Sequence, residues 1–350
     1  MADTRILVFD AKPYDIEFFE KLNKNYGFFI KFIPDRLTED NAVLANGYDV
    51  VSLFVNDYVT PQVADIFYKN GVKLIALRSA GYNNVDLDAV YGRLHVVRVP
   101  AYSPHAIAEH TVALLLALNR KIHRAYWRTR DFNFSLHGLM GFDLHGKTAG
   151  IIGTGKIGRI VAEILGKGFG MRVLVSDPYP QTEWAENNGF SYVELEKLYK
   201  ESDVISLHCP LTENTRHIIN KDSLALTKPG VIILNTGRGQ LISTRDLIAA
   251  LKNGHIGAAG LDVYEEETDY FFEDHSDSYI QDDVLARLMT FPNVLVTSHQ
   301  AFFTREAVTN IVETTMENIR AFAEGKALDN EICYKCDRQN CRKKEVGRCW

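Results

Sequence analysis

The sequence has no long apolar run and no excess of basic charge, and these absences narrow what the protein can be. Its longest uninterrupted apolar stretch, Val112 to Leu118, is too short to span a bilayer. The segment from Met1 to Arg5 leads into a strand-like run, without the apolar region of a signal peptide. Lys and Arg total 39 against 45 Asp and Glu, so the net charge of −6 does not indicate a nucleic-acid surface. We therefore expect a cytoplasmic globular protein that binds neither membranes nor nucleic acid.

The cysteines are few and unevenly placed. Cys209 stands alone in the body of the chain, and the other four crowd its last stretch: Cys333, Cys336, Cys341 and Cys349. A secreted disulfide scaffold would spread its cysteines through the body, so the pattern argues against that class. Four thiols that begin with a Cys-x-x-Cys pair could hold zinc or an iron–sulfur cluster, or could form a redox-sensitive pair. Because Lys and Arg interleave them, an unstructured basic tail is the third alternative.

Apolar runs alternate with helical patterns through the chain, which is 46% hydrophobic and 24% charged. Strands are predicted in a first region at 5–9, 30–33, 50–54, 73–77 and 96–99. A second series follows at 148–152, 172–176, 204–207, 231–235, 258–261 and 294–297. Such alternation is typical of α/β domains in which helices cover both faces of a parallel sheet. The length and composition suit two such doubly wound domains.

A nearly all-apolar helix is predicted between the two regions. Ser103 can cap it, with Pro104 at its first position, and apolar residues then continue to Leu118. A helix of this kind must be covered on most faces, by the domains or by another subunit. Glu109 and His110 fall within it, and we interpret them as structural residues.

An arm and a last long helix set the predicted domain boundaries. The stretch 124–142 is rich in Arg, Trp, Phe and Gly without clean periodicity, which indicates an arm or loop. Helical spacing at 304–324 returns the chain to the first domain, which is therefore discontinuous. The predicted division is a first domain of 1–101 plus 301–332, a second domain of 102–300 and a basic, cysteine-rich tail of 333–350.

A strand that runs into three spaced glycines opens the second region. Gly153 permits a tight turn, Gly155 lets the backbone approach a pyrophosphate, and Gly158 lets the following helix lie close to the strand. The amides at the start of that helix would face the phosphates. The next strand ends in Asp177, at the distance expected of the acidic residue that binds the adenosine ribose. This context predicts a dinucleotide site, and Asp177 favours NAD over NADP because a carboxylate repels a 2′-phosphate.

A loop with small residues follows the fourth predicted strand. Ser79, Ala80 and Gly81 lie there, at the carboxyl end of a sheet, where open α/β folds bind ligands. The small side chains would let backbone amides approach a small anion. A plain turn that uses the chemistry of Asn83 and Asn84 is the alternative.

Three chemically active residues follow successive strands of the second region: Arg238, Glu267 and His299. The carboxyl ends of neighbouring parallel strands share one edge of a sheet, so these residues are expected to lie near one another. An arginine binds a substrate carboxylate with two parallel hydrogen bonds, a histidine moves a proton, and a carboxylate beside it stabilises the protonated form. This set suits hydride exchange at a 2-hydroxy or 2-keto acid. Each residue alone also has an ordinary structural explanation.

Several motifs occur in the order and spacing of a known family. They are Arg78 to Leu87, Val99 to Pro104 with Ala106 to His110, the glycine motif Gly153 to Gly158, His208 to Thr212, Asn235 to Gly239, Asp262 to Glu265, and His299 to Thr304. On these motifs the sequence resembles the NAD-dependent D-2-hydroxyacid dehydrogenases, from the first strand to about Ile332. The tail departs from the family pattern.

The resemblance implies a flavodoxin-like substrate domain and a Rossmann NAD domain with a cleft between them, and a homodimer joined through the Ser103 helix. It implies that Arg238, Glu267 and His299 are the catalytic residues. The implied substrate contacts are Ser79, Ala80, Gly81, Tyr102, Arg238 and Phe302. The implied NAD contacts are Gly153, Thr154, Gly155, Lys156, Ile157, Gly158, Asp177, Cys209, Pro210, Asn214, Thr236, Gly237, Arg238 and Asp262.

The expected reaction is reduction of pyruvate to D-lactate by NADH, with His299 as the proton donor. Tyr102 and Phe302 favour a substrate with a small side chain. A bulkier 2-keto acid or glyoxylate is the alternative within the same chemistry. An NAD-sensing binding protein, similar to the corepressors that share this fold, is the alternative from another class.

Overall fold

The computed structural model describes residues 4–266, 270–333 and 342–349. The chain divides into two compact units, one formed by Met1–Ser103 with Thr304–Trp350 and the other by Pro104–Phe303. Within the described residues, no helix is both long enough and apolar enough to cross a membrane. Each unit has its own sheet and its own hydrophobic core.

The first unit is built on a five-stranded parallel sheet in the order β2-β1-β3-β4-β5, the flavodoxin-like order. Its strands are β1 (Arg5–Val8), β2 (Phe29–Phe32), β3 (Val50–Leu53), β4 (Leu74–Leu77) and β5 (His95–Val97). The helices are α1 (Pro13–Asn23), α2 (Pro61–Lys69), α3 (Leu87–Val90) and α12 (Arg305–Ala323), with the short α13 (Arg342–Val346) near the end of the chain. Strands β3 and β4 are buried at every position because helices cover both faces, which explains their unbroken apolar runs.

The second unit holds a seven-stranded parallel sheet in the order β12-β11-β10-β9-β6-β7-β8. Its strands are β6 (Thr148–Ile152), β7 (Arg172–Ser176), β8 (Ser191–Tyr192), β9 (Val204–Leu207), β10 (Val231–Asn235), β11 (Ile256–Leu261) and β12 (Val294–Val296). Its helices are α4 (Pro104–Asn119), α5 (Ile122–Arg130), α6 (Lys156–Glu163), α7 (Thr182–Asn188), α8 (Leu195–Glu201), α9 (Lys221–Leu226), α10 (Thr244–Lys252) and α11 (Asp283–Met289). The strand order reverses between β6 and β9, as in Rossmann domains, so the predicted pair of doubly wound parallel-sheet folds is confirmed.

The helix that begins at Pro104 is α4, and it packs against α6 and strands β10 and β11. Residues 124–142, predicted as an irregular arm, are irregular only in part, because α5 extends to Arg130. No residue of α5 is buried, so this helix does not pack its apolar side chains into the core. The two-residue edge strand β8 was also missed, because a strand of that length has no readable alternation.

Candidate active site

The glycine motif has the geometry of a dinucleotide-binding turn. Gly153 follows β6 with φ at +96°, and a Cβ there would lie 2.4 Å from the amide nitrogen of Cys209. A Cβ on Gly158 would lie 2.0 Å from the carbonyl oxygen of Gly153, so helix α6 can approach the strand only with glycine at this position. By contrast, a Cβ on Gly155 would meet no atom within 4 Å, which leaves open space at the start of α6. That space, beside the amides of a helix N-terminus, fits the pyrophosphate of NAD.

Asp177 follows β7 and is tied to the same turn. Its carboxylate accepts hydrogen bonds from the amide of Thr154 at 2.6 Å, from the Thr154 hydroxyl at 3.0 Å and from the amide of Tyr179 at 2.9 Å. The Thr154 hydroxyl also meets the Tyr192 hydroxyl at 2.9 Å. The carboxylate is therefore held at the end of the strand next to the glycine turn, where an acidic residue binds ribose hydroxyls. Sequence reasoning had no signal for Tyr192, which sits on the short β8.

The loop after β9 lies against the loop after β6, where the strand order reverses. His208 and Cys209 begin this loop, and the Cys209 amide faces Gly153. Burial raises the pKa of the Cys209 thiol to about 11, so it is a poor nucleophile. Pro210 and Asn214 are exposed in the turn that follows, and the Thr215 hydroxyl donates to the Pro210 carbonyl at 2.6 Å.

Arg238 lies in a tight loop after β10. The side chain of Asn235 closes this loop, since it accepts from the Gly237 amide at 3.0 Å and donates to the Arg238 carbonyl at 2.9 Å. Thr236 is buried, and its hydroxyl meets the hydroxyl of Thr111 on helix α4 at 2.9 Å. The Arg238 side chain itself is exposed, with one contact to the Gly237 carbonyl at 2.8 Å. Its guanidinium remains accessible to an anionic ligand.

His299 lies in a left-handed turn after β12, with φ at +53°. Its amide donates to the carbonyl of Asp262 at 2.8 Å, and its ring lies 5.7 Å from that of Phe272. Asp262 follows the neighbouring strand β11. The hydrogen bonds between these two segments hold an unfavourable backbone conformation that presents the imidazole at the carboxyl edge of the sheet.

The Asp262 carboxylate is fully buried and stabilises the same turn through hydrogen bonds to the residues on either side of His299. It accepts from the Thr297 hydroxyl at 2.5 Å, from the Gln300 amide at 2.9 Å and from the Ala301 amide at 2.8 Å. Burial alone would raise the pKa of Asp262, but these bonds and one from His110 outweigh it and keep the pKa below its usual range. Asp262 was predicted to contact NAD. Its side chain in the structure holds the protein backbone beneath His299.

The third predicted catalytic residue, Glu267, lies outside the described residues. Its neighbour Glu265 is described and has other partners, the His217 ring at 2.5 Å and the Thr244 amide at 3.1 Å. Burial would raise the pKa of Glu265, but these bonds outweigh it and lower the pKa. Glu265 therefore stabilises its own loop, and the carboxylate predicted to act with His299 is not this one.

The predicted substrate loop follows β4 in the first unit. Ser79 donates from its hydroxyl to the Gly81 carbonyl at 2.8 Å, and Arg98 donates to the Ala80 carbonyl at 2.8 Å. The two carbonyls are thereby occupied within the protein. In the same unit, the Tyr102 carbonyl accepts from Asn310 at 2.6 Å. In the second unit, Phe302 is buried and packs edge-on against Phe303.

The described residues of the tail, 342–349, pack against the rest of the first unit. Arg348 donates to the carbonyls of Lys326 and Phe322, at the end of helix α12, and its guanidinium lies 5.4 Å from the Phe322 ring centre. The Cys349 amide donates to the Glu331 carboxylate at 2.7 Å. For residues 342–349, this packing contradicts the unstructured alternative, because helix C-terminal carbonyls attract cations.

The tail cysteines are only partly described. Cys333 is disulfide-bonded, and Cys336 and Cys341 lie outside the described residues. Among the residues the structure covers, no group of three or more His, Cys, Asp or Glu side chains could hold a metal ion.

Comparison with known proteins agrees with this geometry. Residues 112–301 match the family described as D-isomer specific 2-hydroxyacid dehydrogenase, NAD binding domain. The chain is 52% identical over 329 residues to the D-lactate dehydrogenase of Escherichia coli, covering 94% of this chain and 99% of that one. It is 44% identical to D-lactate dehydrogenase kk1H of Curvularia clavata, over 98% of this chain and 99% of that relative.

Among solved structures, that of the pyruvate reductase of Chlamydomonas reinhardtii superposes with a TM-score of 0.89. The two are 43% identical over 94% of this chain and 99% of the other. The match therefore extends over both units. On these similarities the chain belongs to the D-isomer specific 2-hydroxyacid dehydrogenases, which are NAD-dependent oxidoreductases.

Proposed function

We propose that this protein is a D-lactate dehydrogenase that reduces pyruvate to D-lactate with NADH. The observation that carries the proposal is the His299 turn. A buried, ionised Asp262, which follows β11, holds the His299 imidazole at the carboxyl edge of the sheet, and the adjacent strand β10 presents Arg238 at the same edge. The 52% identity to a D-lactate dehydrogenase supports lactate chemistry.

Each residue has a distinct proposed role in the reduction. NADH, when bound, supplies the hydride. The Arg238 guanidinium binds the substrate carboxylate and polarises the keto oxygen. Protonated His299 donates its proton to that oxygen, and Glu267 is proposed to stabilise the protonated imidazole. Ser79, Ala80 and Gly81 are also proposed to bind the carboxylate, since the family resemblance implies substrate contacts at these residues.

The proposed cofactor contacts follow the glycine turn and the loops around it. The open space at Gly155, the helix N-terminus from Lys156 and the ordered Asp177 support them directly. The remaining contacts proposed are Gly153, Thr154, Ile157, Gly158, Cys209, Pro210, Asn214, Thr236, Gly237, Arg238 and Asp262. Asp177 makes NAD, not NADP, the expected cofactor, which a comparison of NADH and NADPH dissociation constants would check.

Substitution of the two chemical groups tests the proposal. His299→Ala and Arg238→Ala should each lower turnover of pyruvate, by about 10²- to 10⁴-fold for loss of a general acid. NADH binding, followed by protein fluorescence, should remain in His299→Ala, because His299 is not among the proposed cofactor contacts. Normal pyruvate reduction in either variant would contradict the assignment.

The preferred substrate is set by the side-chain pocket. We propose that Tyr102 and Phe302 restrict it to small groups, so pyruvate should exceed phenylpyruvate and 2-ketoisocaproate in kcat/KM. Glyoxylate tests the lower size limit. If NADH binds but no 2-keto acid oxidises it, the result would favour an NAD-sensing binding protein over a dehydrogenase.

The exposed apolar arm supports a homodimer. Side chains after helix α5 are strongly exposed: Phe132 at 84%, Phe134 at 71%, Leu136 at 82% and Met140 at 90%. Large exposed apolar groups in one segment mark an interaction site, and the family resemblance makes a second copy of the chain the expected partner. Light scattering should give a molecular mass twice that of the chain. The double variant Leu136→Glu, Met140→Glu should have the mass of a single chain. A monomeric wild-type protein would contradict the dimer.

The zinc or iron–sulfur alternative for the tail requires thiolate ligands. Because Cys333 is disulfide-bonded, we propose the redox-sensitive pair instead. Metal analysis of the purified protein should find neither zinc nor iron, and a stoichiometric metal would overturn this choice. A cytoplasmic location remains a prediction, and cell fractionation with trapping of free thiols would test it, since that compartment keeps most thiols reduced.

A further inference from the structure

His110, on helix α4, contacts the network beneath the proposed catalytic histidine. Its Nε2 lies 3.1 Å from the Thr297 hydroxyl and 3.5 Å from the Asp262 carboxylate. Thr297 and Asp262 both belong to the segments that hold His299. Position 110 is therefore connected to His299 through protein atoms, although the two lie 189 positions apart in the sequence.

The direction of these hydrogen bonds follows from the chemistry of each group. Asp262 is ionised and only accepts, so the Thr297 hydroxyl donates its single proton to it. Thr297 then has only lone pairs for His110, which means that Nε2 of His110 carries the proton and donates. Neutral imidazole suffices for this bond.

Asp262 depends on this set of donors because it is 0% exposed. Its partners are the Thr297 hydroxyl, the amides of Gln300 and Ala301, and the more distant His110. Bulk water does not reach this carboxylate to replace a lost donor. A buried carboxylate that loses a donor is therefore destabilised by its uncompensated desolvation. Loss of His110 would therefore weaken the Asp262 and Thr297 contacts that fix the turn.

Helix α4, which carries His110, is held in place by its packing. It packs on strands β10 and β11, and Thr111, the residue after His110, is fully buried. Thr111 contacts Thr236 in the Arg238 loop at 2.9 Å. Two successive residues of one helix thus reach the two loops that carry the proposed catalytic groups.

We propose that His110 is a positioning residue for His299, acting through Thr297 and Asp262. This inference rests on the proposed function, in which His299 is the proton donor. His110 does not exchange protons with substrate. It donates one fixed hydrogen bond that keeps the left-handed turn, and hence the imidazole, in place.

The test compares His110→Ala with His110→Gln, whose amide nitrogen reaches about as far as Nε2 and can donate to Thr297. The chain offers a matched control in His255, whose Nε2 lies 3.0 Å from the Thr227 hydroxyl. His255 precedes strand β11, whereas Asp262 follows it, so His255→Ala removes a similar pair at the opposite end of the same strand. For each variant, kcat and KM for pyruvate, the NADH dissociation constant and Tm are measured.

We expect His110→Ala to lower kcat about tenfold or more, because small misplacements of a catalytic group are costly. The NADH dissociation constant should stay at the wild-type value, and His110→Gln should restore most of kcat. His255→Ala should change Tm only, with kcat as in the wild type. An unchanged kcat in His110→Ala, or an equal loss in His110→Ala, His110→Gln and His255→Ala, would overturn the proposal.

His299→Ala in the same assay separates the two levels of inference. If His299→Ala retains turnover, the proposed function itself is wrong. If His299→Ala is inactive and His110→Ala is not impaired, only the positioning role of His110 is wrong.

Discussion

The first loop of each parallel sheet turns the chain in a similar way but with opposite chemistry. After β6, Gly153 takes a positive φ of 96°, and Gly155 leaves open space at the start of α6. After β1, Asp10 takes a positive φ of 46°, and its side chain is buried against Lys12 at 2.8 Å. One sheet edge thus leaves room for a dinucleotide, whereas its counterpart is filled by charged side chains.

Arg78 is the centre of the filled edge. It is 1% exposed and donates to the carbonyls of Phe9, Asp10 and Ser52, with Asp15 at 3.6 Å. It therefore ties the ends of β1, β3 and β4 together, directly before the proposed substrate loop. The comparison teaches that a shared parallel-sheet architecture does not fix what binds at its edge, since the side chains of the first loops decide it.

Removal of Arg78 should have the largest effect on stability. Arg78→Met would remove the guanidinium from the buried Asp15 carboxyl and leave the carbonyls of Phe9 and Asp10 without this donor, at a cost of about 3–5 kcal/mol. Urea unfolding of the variant would measure this loss. Arg93→Met, which breaks the solvent-accessible ion pair with Asp65, should cost far less than Arg78→Met and serves as the control. Equal losses in the two variants would show that the buried cluster does not hold this edge.

The open edge should respond in the opposite way. Gly155→Val adds a side chain where no protein atom lies, so Tm should stay near the wild-type value while NADH affinity falls about a hundredfold, or ~2.7 kcal/mol. Gly158→Val, whose Cβ would meet the Gly153 carbonyl, should instead destabilise the fold. Calorimetric titration with NADH and thermal melting check both effects. If Gly155→Val binds NADH with wild-type affinity, the pyrophosphate does not occupy this space.

The two edges should also differ in pH dependence. Burial raises the pKa of Asp57, in the first unit, to about 6, because bonds from the Leu37 and Phe54 amides and the charge of Arg78 only partly offset it. The stabilising contribution of Asp57 is therefore complete below its unfolded pKa and is lost as pH rises through about 6. Asp262, with its lowered pKa, behaves in the opposite sense and loses its contribution as pH falls.

Asp57→Asn should therefore destabilise the protein more at pH 4.5 than at pH 7, by about 2 kcal/mol from 1.36 kcal/mol per pKa unit. Urea unfolding at the two pH values measures the difference. The loss of one hydrogen bond in the variant is the same at both pH values and cancels. An identical cost at pH 4.5 and pH 7 would exclude a raised pKa at Asp57.

Sequence patterns predicted the elements whose signals are local. Helix α4 begins at Pro104 as expected from Ser103 and Pro104, and α12 occupies Arg305–Ala323 within the predicted 304–324. Helix α5 was missed because its nine residues are too few to establish a helical period, and none of them is buried. The docking of Arg348 on the end of α12 was missed because a basic, cysteine-rich segment carries no signal for the carbonyls it will meet.

The sequence by itself determined the two parallel-sheet folds and the glycine turn, because alternating apolar runs and the spacing of Gly153, Gly155 and Gly158 act over short stretches of chain. Only the tertiary structure decided what surrounds the chemical groups. The contact of His110 with Thr297 joins residues 187 positions apart, so no local sequence pattern predicts it. The same holds for Arg78, whose bonds to Phe9 and Ser52 exist only because parallel strands bring distant segments to one edge.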